Sequence, residues 1–183
     1  DGYDLGVGLL LPHATDAEKD TMINSIGPFW DANETWLVLG VGVLLVAFPK
    51  AHGVVLTALY LPVTFMLLGL VLRGVAFDFR VKVEVAYKPL WNRIFFIGSL
   101  VTSVSQGWML GSYITGFSNH WSQLVFNLGV AITLPFAYTL LASGWLIMKT
   151  EGDLIEKSRR WGRISFWPML ISIAFISAMT PLV

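Results

Sequence analysis

Ile94-Phe95-Phe96-Ile97-Gly98-Ser99-Leu100-Val101-Thr102-Ser103-Val104-Ser105-Gln106-Gly107-Trp108-Met109-Leu110-Gly111-Ser112-Tyr113-Ile114-Thr115-Gly116-Phe117 carries no formally charged side chain. At ~1.5 Å of rise per residue, such a run is long enough to cross the ~30 Å hydrocarbon core of a bilayer. Working outward, Gly53–Leu72, Trp121–Met148 and Ile164–Val183 are uncharged in the same way. Lipid offers no hydrogen bonds to a backbone, so each run is expected to close its own ladder as an α-helix. The predicted class is an all-α, polytopic transmembrane helical bundle.

Composition agrees. Hydrophobic residues make up 55% of the chain and charged residues 13%, against about 25% charged in soluble domains. The net charge is zero, which argues against a nucleic-acid partner. The absence of cysteine excludes disulfides, thiolate metal sites and cysteine nucleophiles. Eight Trp and five Tyr suit a protein whose amphipathic rings sit at headgroup level.

Roughly six membrane segments follow from length and hydropathy. They are a helix end finishing near Pro12, Trp36–Pro49 extended back through Phe29–Thr35, Gly53–Leu72, Ile94–Phe117, Gln123–Met148 and Ile164–Thr180. Pro62 and Pro135 fall inside two of them, where a missing N–H is expected to kink the helix. No charge run or low-complexity linker divides the sequence, so residues 1–183 read as a single transmembrane domain. The chain opens Asp1-Gly2-Tyr3-Asp4 without Met and stops at Leu182-Val183 without a polar tail. It therefore reads as a fragment of a longer protein.

All but Lys19 and Lys50 of the 12 basic residues gather around two alternate connections, Arg73–Arg93 and Lys149–Arg163. By the positive-inside rule both are expected to face the cytoplasm. The His13–Asn33 connection falls on the same side but carries mixed charges.

An ionisable group at membrane depth is a functional suspect. Asp1 and Asp4 lie one helical turn apart. They are either a proton-relay or charge-pairing site inside the bundle, or a helix end in water. Trp30-Asp31-Ala32-Asn33-Glu34-Thr35-Trp36 is the densest polar and aromatic cluster in the chain. Asp31 and Glu34, at i and i+3, could simply favour the helix dipole. Two carboxylates, an amide and two indoles at the mouth of a span nevertheless exceed what capping needs. Arg73 either snorkels to the headgroups or pairs with an intramembrane carboxylate, Asp4 being the preferred partner. Asp78 with Lys82 and Arg80 with Glu84 are expected as surface i, i+4 pairs.

Gly2 with Gly6 and Gly107 with Gly111 form GxxxG spacings suited to close helix approach. Gln106 is expected to hydrogen-bond between helices. His13, His52 and His120 all fall at segment ends, whereas a membrane haem needs ligands at depth. Met66, Met109 and Met148 read as packing residues. No metal site and no catalytic residue is expected in this chain.

The runs Asp1–Gly8, Ile26–Trp36 and Arg73–Arg80, extended by Gln106-Gly107 and Trp145–Gly152, resemble subunit II of the cytochrome bd-type quinol oxidases, particularly its cyanide-insensitive branch. The resemblance covers residues 1 to about 153 in the family's order. Ala32 stands where the family usually has Gly. The resemblance implies that this is roughly the N-terminal half of a subunit built of two pseudo-repeated bundles. It also implies no haem in this chain, with haems b and d, or b alone, in a haem-bearing subunit I. Quinol would be the substrate of the complex, oxygen its acceptor, and the bacterial or archaeal cytoplasmic membrane its location. Further partners implied are membrane lipid and, optionally, a small single-span accessory subunit. By the same resemblance Asp31 matches an acidic position implicated in proton delivery, and Asp4 and Arg73 match charged family positions. Asp31, Glu34 and Asp4 are the proton-path candidates. Asp1, Arg73, Asp78, Arg80, Trp30, Asn33 and Gln106 are candidates for structural or charge-pairing roles. Two other classes compete on the residues alone: a secondary transporter, for which kinked spans and buried acids are equally typical, and a purely structural membrane partner.

Overall fold

The structure is a computed structural model describing residues 2–118 and 120–182. The described residues form eight α-helices and no strand: α1 (Gly2–Leu10), α2 (Asp16–Ile26), α3 (Trp30–Ala47), α4 (Pro49–Ala58), α5 (Tyr60–Lys82), α6 (Lys88–Ile114), α7 (Trp121–Lys149) and α8 (Asp153–Met179). Five of the described helices are long and apolar enough to cross a membrane: α3, α5, α6 with the turn before it, α7 and α8. That is one fewer than the six segments expected; the segment expected to finish near Pro12 corresponds to α1, a helix of nine described residues.

Several boundaries differ from the sequence reading. The expected span Gly53–Leu72 is split at Leu59, between α4 and α5. Pro62 has no N–H to donate to the Ala58 carbonyl, so the ladder breaks there. Pro62 consequently sits in the first turn of α5 rather than kinking a mid-span, while α7 continues through Pro135 and α8 through Pro168. The two basic connections are mostly helix. Arg73–Lys82 ends α5, and Lys157–Arg163 lies within α8, leaving Val83–Tyr87 and Thr150–Gly152 as the turns. Gly152 makes the second turn with φ 68°, a left-handed backbone that glycine adopts without strain. The His13–Asn33 connection holds a helix of its own, α2, which starts on a Thr15–Glu18 capping box and buries Met22, Ile23 and Ile26.

The bundle is ordered by small residues. Helix α5 packs on α6, α6 on α7 and α7 on α8, and α1 lies against both α6 and α7. A Cβ added at Gly107 would lie 2.6 Å from the Ala131 Cα, and one at Gly111 2.7 Å from the Asn127 Cα, so both glycines are needed for α6 to meet α7. Gly6 stands against the Tyr138 carbonyl in the same manner. These GxxxG spacings are packing devices, as expected. Polar bridges add to them: Tyr138 donates to Gln106 at 2.8 Å, and Asn127 to Ser112 at 3.1 Å. The interhelical role expected of Gln106 is the one observed. An apolar core of Val7, Leu10, Leu11, Met22, Ile26, Phe95 and Leu146 closes the end of the bundle beneath α2.

Helix α3 behaves differently. None of its residues is buried, and it meets the bundle chiefly through its first turns. Between α3–α4 and the bundle lies an apolar cleft of about 890 Å³, lined among others by Leu37, Val41, Leu56, Met66, Gln106 and Tyr138.

Candidate functional site

Helix periodicity brings Trp30, Asn33 and Glu34, at i, i+3 and i+4, onto one face of α3. That face meets Tyr3 and Asp4 on α1 and Arg73 on α5. Asp4 and Arg73 are both completely buried. The Asn33 amide donates to the Asp4 carboxylate at 2.5 Å and to the Tyr3 hydroxyl at 3.1 Å. Arg73 Nη1 donates to Glu34 Oε1 at 2.6 Å. The guanidinium is held between rings, its carbon 5.9 Å from the Trp30 centroid and 5.2 Å from that of Phe95. This is the cation–π arrangement expected where charge is taken out of water.

The pairing corrects one expectation. Arg73 does not snorkel to the surface and does not contact Asp4 directly; its ion-pair partner is Glu34. Asn33 occupies the Asp4 carboxylate, so the two acids reach the cluster from different helices and bond to different donors. Asp4 Oδ1 and Arg73 Nε and Nη2 are buried without a hydrogen-bond partner among the described residues. Buried polar atoms of this kind cost stability unless something satisfies them.

An aromatic collar encloses the cluster. Tyr3 stacks on Trp145 at 4.4 Å, Phe29 meets Trp145 edge-on at 5.5 Å, and Trp30 lies 4.8 Å from Phe77. Asp31 stands outside the collar. It is exposed on the first turn of α3, and its carboxylate makes no hydrogen bond among the described residues. Asp31 is thus exposed, whereas Glu34, one turn further on, is half-buried against Arg73. Asp1 lies outside the described residues.

A second charged group sits at the end carrying α2. Asp20 accepts from Arg80 at 2.6 Å and faces Lys88 at 3.3 Å, and Arg80 Nε donates to Asn92 at 2.6 Å. The expected Arg80–Glu84 pair cannot form, because α5 ends at Lys82 and Glu84 is past the helix. The expected Asp78–Lys82 pair is not made either; both side chains are exposed and unpaired among the described residues. Glu18 takes a hydrogen bond from Lys157 of α8 and another from the Thr15 N–H, and together these hold its carboxyl down to about 2. Burial pushes the Asp20 carboxyl up, but the hydrogen bonds and charges of Arg80 and Lys88 outweigh it and keep it below the ordinary range.

The Asp20–Arg80 and Glu18–Lys157 ties were missed by sequence reasoning, which treated α2 as a neutral connection. Their sole sequence signal is that Asp16, Glu18 and Asp20 accumulate opposite two basic connections. The histidines were legible: His13 ends the turn after α1, His52 lies in α4, and His120 caps α7. None lines the 890 Å³ cleft, and no cluster of three or more His, Asp or Glu among the described residues is arranged to hold a metal ion.

A family model described as cytochrome bd terminal oxidase subunit II matches residues 1–183. The chain is 32% identical over 200 residues to cytochrome bd ubiquinol oxidase subunit 2 of Bacillus subtilis, covering 98% of this chain and 57% of that protein. It is 29% identical over 191 residues to cytochrome bd-I ubiquinol oxidase subunit 2 of Escherichia coli K12, covering 95% and 50% respectively. A probable cytochrome oxidase subunit 2 of Haemophilus influenzae is 29% identical over 195 residues, covering 97% and 51%. The chain spans about half the length of these relatives.

Proposed function

This chain belongs to the cytochrome bd terminal oxidase subunit II family, and from that premise we propose that it acts as the haem-free half-partner of a quinol oxidase and helps bring protons to it. The complex would oxidise quinol, releasing two electrons and two protons, and reduce oxygen to water with four of each. A haem-bearing subunit I would carry that redox chemistry, with haems b and d or b alone. A small single-span accessory subunit could complete the assembly in the bacterial or archaeal cytoplasmic membrane.

The observation that carries the proton role is that two carboxylates, Asp4 and Glu34, share a cluster with one fully buried cation, Arg73, which pairs directly with Glu34 alone. One guanidinium neutralises one carboxylate. The second leaves the cluster with a group able to bind and release a proton, which an amide of the same shape could not do. Exposed Asp31, three residues before Glu34, would be the entry residue, and Glu34 and Asp4 the inner stations. The geometry supports an inner role for Glu34 more strongly than its capping position alone suggested.

Asp31→Asn and Glu34→Gln test this in the whole complex. Asp31→Asn should keep assembly and haem absorbance, and Glu34→Gln, whose amide oxygen still accepts from Arg73 while Asp4 stays nearby as a counter-charge, should keep part of both. In the complex that assembles, each should slow steady-state quinol oxidation, with proton uptake in a single-turnover oxygen reaction slowing in parallel. Full turnover with normal uptake in both variants would reduce the cluster to a structural clamp on α3.

The orientation is part of the same proposal. Cysteines placed at Lys88 and Lys157 should escape a membrane-impermeant thiol reagent on intact cells, and one at His120 should react, because the basic ends of α5, α6 and α8 face the cytoplasm. Labelling at 88 or 157 would invert the model and put Asp31 on the wrong side for uptake.

A further inference from the structure

Helices α7 and α8 meet closely at Gly162, where an added Cβ would lie 3.3 Å from the Ser143 Cβ, and again at Gly129, where one would lie 2.9 Å from the Phe175 ring. Around the Gly162–Ser143 contact runs an outward-facing groove of about 630 Å³, with Leu140, Gly144 and Ile147 on one side and Arg159, Arg163 and Trp167 on the other. An added Cβ at Gly144 would meet nothing within 4 Å, so the groove has free space at that position. The groove is apolar along its length and basic at one end. Arg163 immediately precedes the uncharged run Ile164–Val183, which puts its guanidinium at the headgroup boundary with the groove leading into the hydrocarbon. Trp167, one turn further on and 63% exposed, is the amphipathic ring favoured at that depth.

The charges at the mouth are unbalanced. Arg159 and Arg163 are one helical turn apart, a like-charge spacing that disfavours the helix. Glu156 takes Arg159 at 2.6 Å. No carboxylate among the described residues lies within ion-pair distance of Arg163, although it faces the same groove.

We propose that the α7–α8 groove binds an anionic phospholipid, its phosphate held by Arg163 and Arg159 and one acyl chain laid along Leu140, Gly144 and Ile147 against Trp167. Basic pockets between membrane helices select anionic headgroups in this manner. The bulk apolar surface of α3, by contrast, has no charge to select one lipid over another. The site is separate from the Asp4–Glu34–Arg73 cluster and does not depend on the proton role.

The test uses the intact oxidase complex, delipidated in detergent and titrated with phosphatidylglycerol, with bound lipid counted by native mass spectrometry. The Arg159→Gln/Arg163→Gln variant should bind about fivefold more weakly for each arginine removed, and Arg159→Lys/Arg163→Lys should retain most of the binding. Gly144→Leu, which fills that free space but leaves the charges, should also lower occupancy. Phosphatidylcholine should bind wild type and the double Gln variant alike. Unchanged haem absorbance marks each variant as assembled, and the Lys pair keeps the comparison open if the Gln pair is lost. Equal phosphatidylglycerol binding by wild type and both the Gln and Leu variants would overturn the proposal. Full competition by inorganic phosphate would overturn the lipid as source and leave a simple anion site. A wild-type complex holding no phosphatidylglycerol above the phosphatidylcholine level would show that other polypeptide covers the groove, and would overturn it as well.

Discussion

Helices α6 and α3 are both apolar enough to cross a bilayer, yet the membrane window of α6 is 44% buried inside the structure and that of α3 is 0% buried. Hydropathy cannot account for the difference, since it measures only preference for hydrocarbon over water. In lipid there is no further hydrophobic gain from packing one apolar helix on another. What separates them is the texture of their surfaces. Helix α6 carries Gly98, Ser99, Thr102, Ser103, Gly107 and Gly111 on its buried face, small residues that let neighbouring backbones come within contact. Helix α3 has two glycines, Gly40 and Gly42, and neither has an atom within 4 Å of where a Cβ would be. It is held instead at one end, by Asn33 to Asp4 and Glu34 to Arg73. One region is fixed by shape and the other by charge.

The sharpest way to break this comparison is to remove the charge that holds α3. Losing one member of a buried pair leaves its partner uncompensated, at a cost of about 3–5 kcal/mol. Arg73→Ala should destabilise the assembled complex on that scale, read as a large drop in thermal midpoint and in recovered haem-containing complex. Glu34→Gln should relieve more of the defect than Asp4→Asn, because Glu34 makes the direct 2.6 Å contact and Asp4 retains Asn33. Greater relief by Asp4→Asn would mean that the two acids exchange places as the principal partner.

The other half of the comparison is tested with one kind of substitution at two glycines. Gly107→Val should cost about 1–3 kcal/mol or more, since the side chain meets the α7 backbone. Gly40→Val, on the open face of α3, should fall within about 0.5 kcal/mol. Thermal denaturation of the two variants side by side measures the contrast. An equal loss at Gly40 would show that α3 is packed by further polypeptide in the full complex and is not an open arm.

The sequence made these two regions unequally legible. The all-α class, the long apolar spans and the packing use of Gly107 and Gly111 follow from charge-free runs and small-residue spacing, both local properties. The split at Leu59 was less accessible, since Pro62 is equally compatible with a kink and with a helix start, and neighbouring packing decides between them. Within the cluster, Trp30, Asn33, Glu34, Asp4 and Arg73 were all identifiable as unusual. Their partners were not, because choosing Glu34 over Asp4 for Arg73 depends on how α1, α3 and α5 are rotated. Asp20 and Arg80 are 60 residues apart, and nothing in either local pattern announces that α2 folds back onto α5.

That fold-back gives the smallest and most specific prediction. Glu18 ties α2 to α8 through Lys157 at 2.7 Å, outside the membrane-spanning segments, and its carboxyl is held down to about 2 from an ordinary value of 4.5. A carboxyl depressed in the folded state contributes stability that is fully present above its unfolded value and is lost as pH falls through the folded one. The tie should therefore be intact above about pH 5 and should weaken progressively between about pH 4.5 and pH 2. For a partly exposed pair, its worth is on the order of 1 kcal/mol, so the change is local. Backbone amides of α2 should exchange hydrogen faster as pH drops through that window, after correction for intrinsic exchange rates, while those of α6 stay protected. Glu18→Gln should show the faster exchange already at pH 7 and lose most of the pH dependence. Asp20, held by Arg80 and Lys88, would still anchor the other side of α2, so Asp20→Asn combined with Glu18→Gln should loosen the helix further. An α2 in the Glu18→Gln variant that stays as protected as wild type at neutral pH would show that Met22, Ile23 and Ile26, buried beneath it, hold the helix without the ion pair.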